Sequence, residues 1–417
     1  NLTRDTTPSV IIPAPAPGET PNLYIDGFQV PATFDPITNT LTPSTPLTEG
    51  SHTLSTTVTD SAGTESTTSP ALTIVIDAMP PATPAVAGLA SSSDTGSQGD
   101  YITADTTLSL IIQAPTDGDS PVLYVDGLPV PASFDPISNT LTPDAALADG
   151  THSLRYTLID AAGNESAASP VLTLMIDSTA PATPLAVDMN PASDTGISAT
   201  DNLTSDNTPG FLIPVPGADE TPSLYVDGSK VAALYDPVTH TLTPAAPLAS
   251  GVHSISHTLT DAAGNESAPS AVLNIVIDVS APTAPVIADL LASSDTGLST
   301  TDNLTRDTTP SVIIPAPAPG ETPNLYVDGV QVPATFDPVT NTLTPSTGLT
   351  DGSHVLSYTL IDGAGNESAQ SPDLSLVIDS VAPLIPIPIL NSMSDSGVVG
   401  DGITNDTTPT ISGSDGV

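Results

Sequence analysis

Four landmarks return along this chain in fixed order about one hundred residues apart, and that period constrains the fold more than any other feature. Asp-Thr-Thr (Asp-Asn-Thr in one copy) begins at Asp5, Asp105, Asp206, Asp307 and Asp406. A Tyr-x-Asp-Gly turn begins at Tyr24, Tyr124, Tyr225 and Tyr326. Asp-x-x-Gly-x-Glu-Ser begins at Asp60, Asp160, Asp261 and Asp362, and an apolar run ending in Ile-Asp closes at Asp77, Asp177, Asp278 and Asp379. Residues 1–24 are identical to residues 303–326. Solenoid units repeat every 20 to 50 residues or so and cannot bury a core alone. A period near one hundred is the size of a domain with its own core. The chain therefore reads as beads on a string: copies at 1–78, 79–179, 180–280 and 281–381, with 382–417 as the start of a further one. The first copy and the last segment read as truncated.

The fourth copy serves as the template. Pro285–Leu290 reads as a proline-interrupted first strand, with Pro386–Leu390 as its counterpart one copy on. Ser311–Ile314, Asn324–Val327, Val332–Phe336 and Thr342–Leu343 are short strand-like runs. Asp328-Gly329 between two of them is a hairpin signal. Val355–Ile361 alternates, with Leu356, Tyr358 and Leu360 on one face, and Leu374–Ile378 is strongly β-like. About seven short strands with no helical period predict an all-β fold of tandem immunoglobulin-like β-sandwiches. Prolines, 46 in all, blunt the exposed edges such a sandwich would leave.

Composition excludes several partners. There are 47 acidic residues against 4 basic ones, a net charge of −43. Nucleic acid and anionic membranes both need a basic footprint. With 38% hydrophobic residues in strand-like patterns, the chain is expected to fold rather than stay disordered. It has no cysteine, hence no disulfide or thiolate ligand. No catalytic Ser/His/Asp arrangement, His-Glu-x-x-His, EF-hand spacing or phosphate loop stands out, so no enzyme is expected. Five Phe, eight Tyr and no Trp argue against an aromatic sugar platform.

The acidic residues are clustered. Three aspartates share one Gly/Ser/Thr-rich loop in each of four places: Asp94, Asp100, Asp105; Asp194, Asp201, Asp206; Asp295, Asp302, Asp307; and Asp395, Asp401, Asp406. If this loop joins the first two strands, it lies near the end of the last strand (Asp77, Asp177, Asp278, Asp379). The Asp-x-x-Gly-Asn turn of the following copy (Asp160, Asn164; Asp261, Asn265; Asp362, Asn366) then faces it. If it is instead a linker before the first strand, it meets the preceding copy. Hard oxygen ligands from several loops suit Ca²⁺, which takes six to eight of them. Each aspartate also has a plainer reading as an Asx-turn former. Asp26, Asp126, Asp227 and Asp328 read as hairpin turns, and Asp35, Asp135, Asp236 and Asp337 as turns before proline. His52, His152, His253 and His354 read as packed strand-start residues.

The succession Val-Ile-Asp-x-x-Ala-Pro, Ser-Asp-Thr-Gly, Asp-Asn-Leu-Thr-x-Asp-Thr-Thr-Pro, Asp-Gly-Ser-His and Asp-x-Ala-Gly-Asn-Glu-Ser resembles the bacterial Ig-like repeats of giant adhesins and biofilm-associated surface proteins. The resemblance covers essentially the whole chain. It implies a Ca²⁺-stiffened extender at the bacterial cell surface, outside the cell, whose partners are its own neighbouring repeats. The alternative is that the repeats themselves mediate homophilic or host-glycan binding.

Overall fold

The computed structural model describes residues 1–116, 118–385 and 387–413, and these contain strands but no helix. Accordingly, among the described residues no helix is long and apolar enough to cross a membrane. The chain divides into two compact units: Asn1–Ala186 with Pro214–Ser223 and Ser256–Ala271, and Val187–Ile213 with Leu224–Ile255 and Val272–Val417. Each is taken by itself.

The second unit holds the whole fourth copy, with nine strands. They are β1 (Asp289–Leu290), β2 (Leu304–Thr305), β3 (Val312–Ile313), β4 (Thr322–Val327), β5 (Val330–Val332), β6 (Ala334–Asp337), β7 (Thr342–Pro345), β8 (Gly352–Ile361) and β9 (Leu374–Ile378). One sheet runs β1-β3-β7-β6 and the other β2-β9-β8-β4-β5. All pairings are antiparallel except β2 with β9, where Leu304 faces Val377 and Thr305 faces Ile378. Between the sheets lies a core that includes Val312, Leu325, Leu343, Leu356, Tyr358, Leu376 and Ile378. Burying one such side chain is worth about 1.5–3 kcal/mol.

The β-sandwich expected from the sequence is present, with local differences. The run Val332–Phe336 is two strands in different sheets, broken at Pro333, which cannot donate to a ladder. The first strand keeps only Asp289–Leu290 of the expected Pro285–Leu290. Its counterpart one copy on is Pro388–Leu390, Pro386 lying outside the described residues. Strand β4 starts earlier than expected and includes Pro323; β5 pairs only with Leu325–Val327, so the proline sits on a free edge. Asp328 and Gly329 have φ of 53° and 79°, the doubly left-handed turn an Asp-Gly hairpin needs.

The first unit holds the first two copies. The second repeats both sheets of the fourth, and the first has a five-stranded and a three-stranded sheet. Their cores are built on Leu23, Leu41, Leu54 and Ile76 and on Leu123, Leu141, Leu154, Tyr156 and Ile176.

Candidate functional site

The aspartate segment lies inside the second, third and fourth copies, in the fourth between β1 and β3 with the short β2 separating Asp302 from Asp307, so the first of the two placements open from the sequence is the one adopted. Two interactions close it. Thr305 Oγ1 of β2 donates to Ser294 O, and Asp295 N donates to Leu291 O over 3.0 Å. The loop thus folds back over its own start and buries the first aspartate. Asp94, Asp194, Asp295 and Asp395 are 6%, 5%, 2% and 7% exposed.

The three aspartates of a loop have different surroundings. The second and third form Asx turns. Asp100, Asp201, Asp302 and Asp401 accept the N–H two residues on, at 2.9, 3.2, 3.2 and 2.9 Å. Asp105, Asp206, Asp307 and Asp406 do the same at 2.9, 2.9, 3.0 and 2.9 Å. The first aspartate accepts one N–H through Oδ2, from Gly99, Asn202, Asn303 or Gly400. Its Oδ1 is buried in all four loops without a hydrogen-bond partner. A buried carboxylate oxygen with no donor is costly unless a cation or a proton sits on it. At Asp194 burial pushes the carboxyl pKa up, opposed by the Asn202 N–H; the charges of Asp201 and Asp188 raise it further. Around Gly297 a Cβ would lie 3.0 Å from Leu304 O, 3.6 Å from Ser299 O and 3.8 Å from Asp302 Oδ1, so three hard oxygens surround one small space. Among the described residues no three His, Cys, Asp or Glu side chains gather closely enough to hold a metal on their own.

The loop also meets the following copy. In the first unit Thr95 Oγ1 donates to Ala263 O over 2.5 Å. In the second, Thr195 Oγ1 donates to Ala364 O over 2.8 Å. The adjoining glycines are left-handed, with φ of 73° at Gly96 and 106° at Gly196. A Cβ there would stand 2.1 Å from Ala262 O and 2.2 Å from Gly363 O. Only glycine fits such an approach. The Ser-Asp-Thr-Gly motif carried this signal, but its Thr and Gly were not singled out.

The turn that faces the loop is organised by its own residues. Asp160 Oδ1 accepts the N–H groups of Ala162 and Asn164, and Oδ2 accepts Asn164 Nδ2. Asp261 and Asp362 hold Asn265 and Asn366 in the same way. Each asparagine then reaches across to the last strand of the preceding copy. Asn164 Nδ2 donates to Asp77 O over 2.8 Å, Asn265 to Asp177 O over 2.7 Å and Asn366 to Asp278 O over 2.7 Å. The side chains of Asp77, Asp177, Asp278 and Asp379 each cap the N–H two residues on. Between the first two copies, Arg4 Nη1 also donates to Gly163 O over 2.5 Å. Direct hydrogen bonds therefore tie Asn164, Asn265 and Asn366 to the chain just after the preceding copy's last strand, and Thr95 and Thr195 to the facing turns.

The recurrent histidines are held by partners of their own. Nδ1 of His52, His152, His253 and His354 meets the hairpin aspartate at 2.7, 2.8, 2.8 and 2.8 Å. Nε2 meets a main-chain carbonyl: Thr48 O, Ala148 O, Ala249 O or Thr350 O. Both partners accept, so both nitrogens must carry a proton to satisfy them, which requires imidazolium. The aspartate bond, followed by the carbonyl, raises the pKa of His52, His253 and His354. At His152 burial acts against the rise and is outweighed by the same two bonds.

A family profile described as bacterial Ig-like domain matches residues 1–78, 81–178, 180–279 and 281–380. No curated protein matches the chain. Among solved structures, fibronectin(III)-like modules of Clostridium thermocellum CbhA are 14% identical, with 46% of this chain and 94% of that one covered at a TM-score of 0.30. A Ca²⁺-stabilized adhesin that helps an Antarctic bacterium reach out and bind ice is 17% identical, with 87% and 90% covered at 0.31. The Bacteroides ovatus glucan-utilization protein SGBP-B, in complex with a mixed-linkage heptasaccharide, is 14% identical, with 91% and 86% covered at 0.18. At these scores the three likenesses carry no argument about this chain.

Proposed function

Because the chain belongs to the bacterial Ig-like domain family, we propose that its tandem copies are the extender, or stalk, of a bacterial cell-surface adhesin or biofilm-associated protein, stiffened by Ca²⁺ at the junctions between copies. The reading is structural: the copies supply length, and the junctions set how freely they move. It places the protein outside the cell and assigns it no catalysis.

The observation that carries the reading is the buried, unpartnered Oδ1 of Asp94, Asp194, Asp295 and Asp395. It recurs in every copy of one loop, and in two of those loops the next residue but one touches the following copy. The donors fit Ca²⁺, a hard cation that takes carboxylate, amide and main-chain carbonyl oxygens from several loops. Asp94, Asp194, Asp295 and Asp395 would hold the ion. Asp100, Asp201, Asp302 and Asp401, loop carbonyls such as Ser299 O and Leu304 O, and Asn265 or Asn366 from the facing turn would complete it. When bound, the ion supplies positive charge to a chain whose net charge is −43. The chain's own part is to fold the loop back, keep water from the first aspartate and hold the facing turn by Asn265 or Asn366. Loss of the cation leaves like charges desolvated beside the junction, which then loosens.

The test is a calorimetric Ca²⁺ titration of the whole chain, with melting and small-angle scattering before and after EDTA. Binding should saturate with at least one ion per complete loop, and Asp194→Asn should remove the ions of one loop. A ligand at one hundred times its Kd stabilises the folded form by about 2.7 kcal/mol, so EDTA should lower the melting temperature and the particle should flex. No binding heat, with melting and scattering unchanged by EDTA, would sink the calcium mechanism.

A further inference from the structure

One position on strand β8, and on its equivalents Gly50–Thr59, Gly150–Ile159 and Gly251–Thr260 in the other copies, differs in kind among the copies. It holds Thr56, Tyr156, His257 and Tyr358 in turn. The main chain around it is constant: the N–H donates to Ser69, Ser169, Ser270 or Ser371 Oγ at 2.9, 3.1, 3.1 and 3.1 Å. Tyr156 and Tyr358 are buried, and burial pushes their phenols up, so both stay uncharged over the physiological range. Tyr156 Oη accepts Gln113 N–H over 3.2 Å. His257 is 0% exposed, and neither Nδ1 nor Nε2 has a hydrogen-bond partner.

A neutral imidazole in such a place costs what any unpaired polar group costs. An imidazolium there would be a buried charge with nothing to pair it, which is far more expensive. We propose that His257 makes the third copy the acid-labile link of the array: acidification opens residues 180–280 selectively, while the copies that carry tyrosine at this position hold.

The direction follows from linkage. Burial lowers the pKa of His257, and burial is the single cause. No charged or titratable group on any packed element contributes to that lowering among the described residues. Glu266, on the flanking segment, is taken up by Thr258 Oγ1 at 2.5 Å, and Thr258 as the next residue points to the other face of the strand. The unfolded side chain titrates near 6.5. Stability from the neutral ring is therefore fully present above about pH 6.5 and is lost as pH falls from there toward the depressed folded value. The clamp histidines respond in the opposite sense, but each copy has one, so they do not single out the third.

Hydrogen exchange on the full chain, read by mass spectrometry and corrected for intrinsic rates, tests this at pH 8 and pH 5.5. Peptides from 251–260 are compared with those from 150–159 and 352–361. Opening of the third copy relative to the other two should rise, by at most about tenfold, one proton being taken up on opening. His257→Tyr should abolish that rise, and so should His257→Thr, the residue type of the first copy, should the larger ring not fit. In a histidine NMR titration of the unmodified chain, the His257 ring should stay neutral at pH values where the four clamp rings are charged. A pH-independent ratio, a ratio that still rises in both variants, or a His257 ring titrating near 6.5 would overturn the proposal.

Discussion

His253 and His257 stand four residues apart on one strand of the third copy, Gly251–Thr260, and acid acts on them in opposite directions. His253 lies at the rim, where Asp227 Oδ2 at 2.8 Å and Ala249 O at 2.8 Å both accept from its ring. His257 lies in the interior, where no acceptor reaches it. The first is completed by a proton and the second is disrupted by one. Residue type alone thus says nothing about the sign of the pH dependence; the partners available at each position set it.

The comparison can be broken or sharpened by substitution. The largest effect is expected from Tyr358→Ala, which empties the position that His257 occupies in the third copy. Removing a large buried aromatic costs about 3–5 kcal/mol, so residues 281–380 should open in a separate, earlier step in denaturant-dependent hydrogen exchange. The loss should be the same at pH 8 and pH 5.5. Equal protection of the fourth copy before and after the change would show that this position does not govern its stability.

Next in size is Tyr358→His, which should transfer acid lability to the fourth copy. Beyond any pH-independent loss, opening relative to the parent chain should grow from pH 8 to pH 5.5, by at most about tenfold, or about 1.4 kcal/mol. Exchange of peptides from 352–361 measures it, and a flat response would mean that burial at this position does not exclude a proton.

The smallest effect belongs to Asp227→Asn at the rim. The folded pKa of His253 is raised, so the clamp's contribution is fully present below the unfolded value and is lost as pH rises through the folded one. The Asp227 side chain is 53% exposed and well screened, so no more than about 1 kcal/mol is at stake. The variant should be less stable than the parent at pH 5.5 and equal to it at pH 9, and the His253 ring should titrate closer to 6.5. A loss of the same size at both pH values would mean that the pair acts as a fixed hydrogen bond, not as a charged clamp.

Much of the fold was legible because it depends on local chemistry repeated four times. The period, the Asp-Gly hairpins and the alternation of Leu356, Tyr358 and Leu360 rest on turn geometry and on the two-residue period of a strand. Strand β2 was not legible: Leu304–Thr305 is two residues long, too short to show alternation, and its partner is the distant β9. Ser357 and Thr359, on the opposite face of the same strand from Leu356, Tyr358 and Leu360, are 4% and 2% exposed, a burial that alternation does not reveal. Thr359 Oγ1 and Tyr326 Oη both donate to Glu367, so its carboxylate is held within its own copy.

At the candidate site the sequence alone determined which residue types gather in which loop, and how often. It could not separate Asp295 from Asp302 and Asp307, because all three sit among the same Ser, Thr and Gly neighbours. The tertiary structure did so by folding the loop back over the first aspartate, leaving the other two in Asx turns, Asp302 exposed and Asp307 half-buried. In the same way the sequence set the placing of six histidines, while only the packing decided which would meet two acceptors and which would meet none. The physical reason is common to both cases. Turn formation and strand alternation are local and are written in a few adjacent residues, whereas desolvation depends on which distant segments come to cover a side chain.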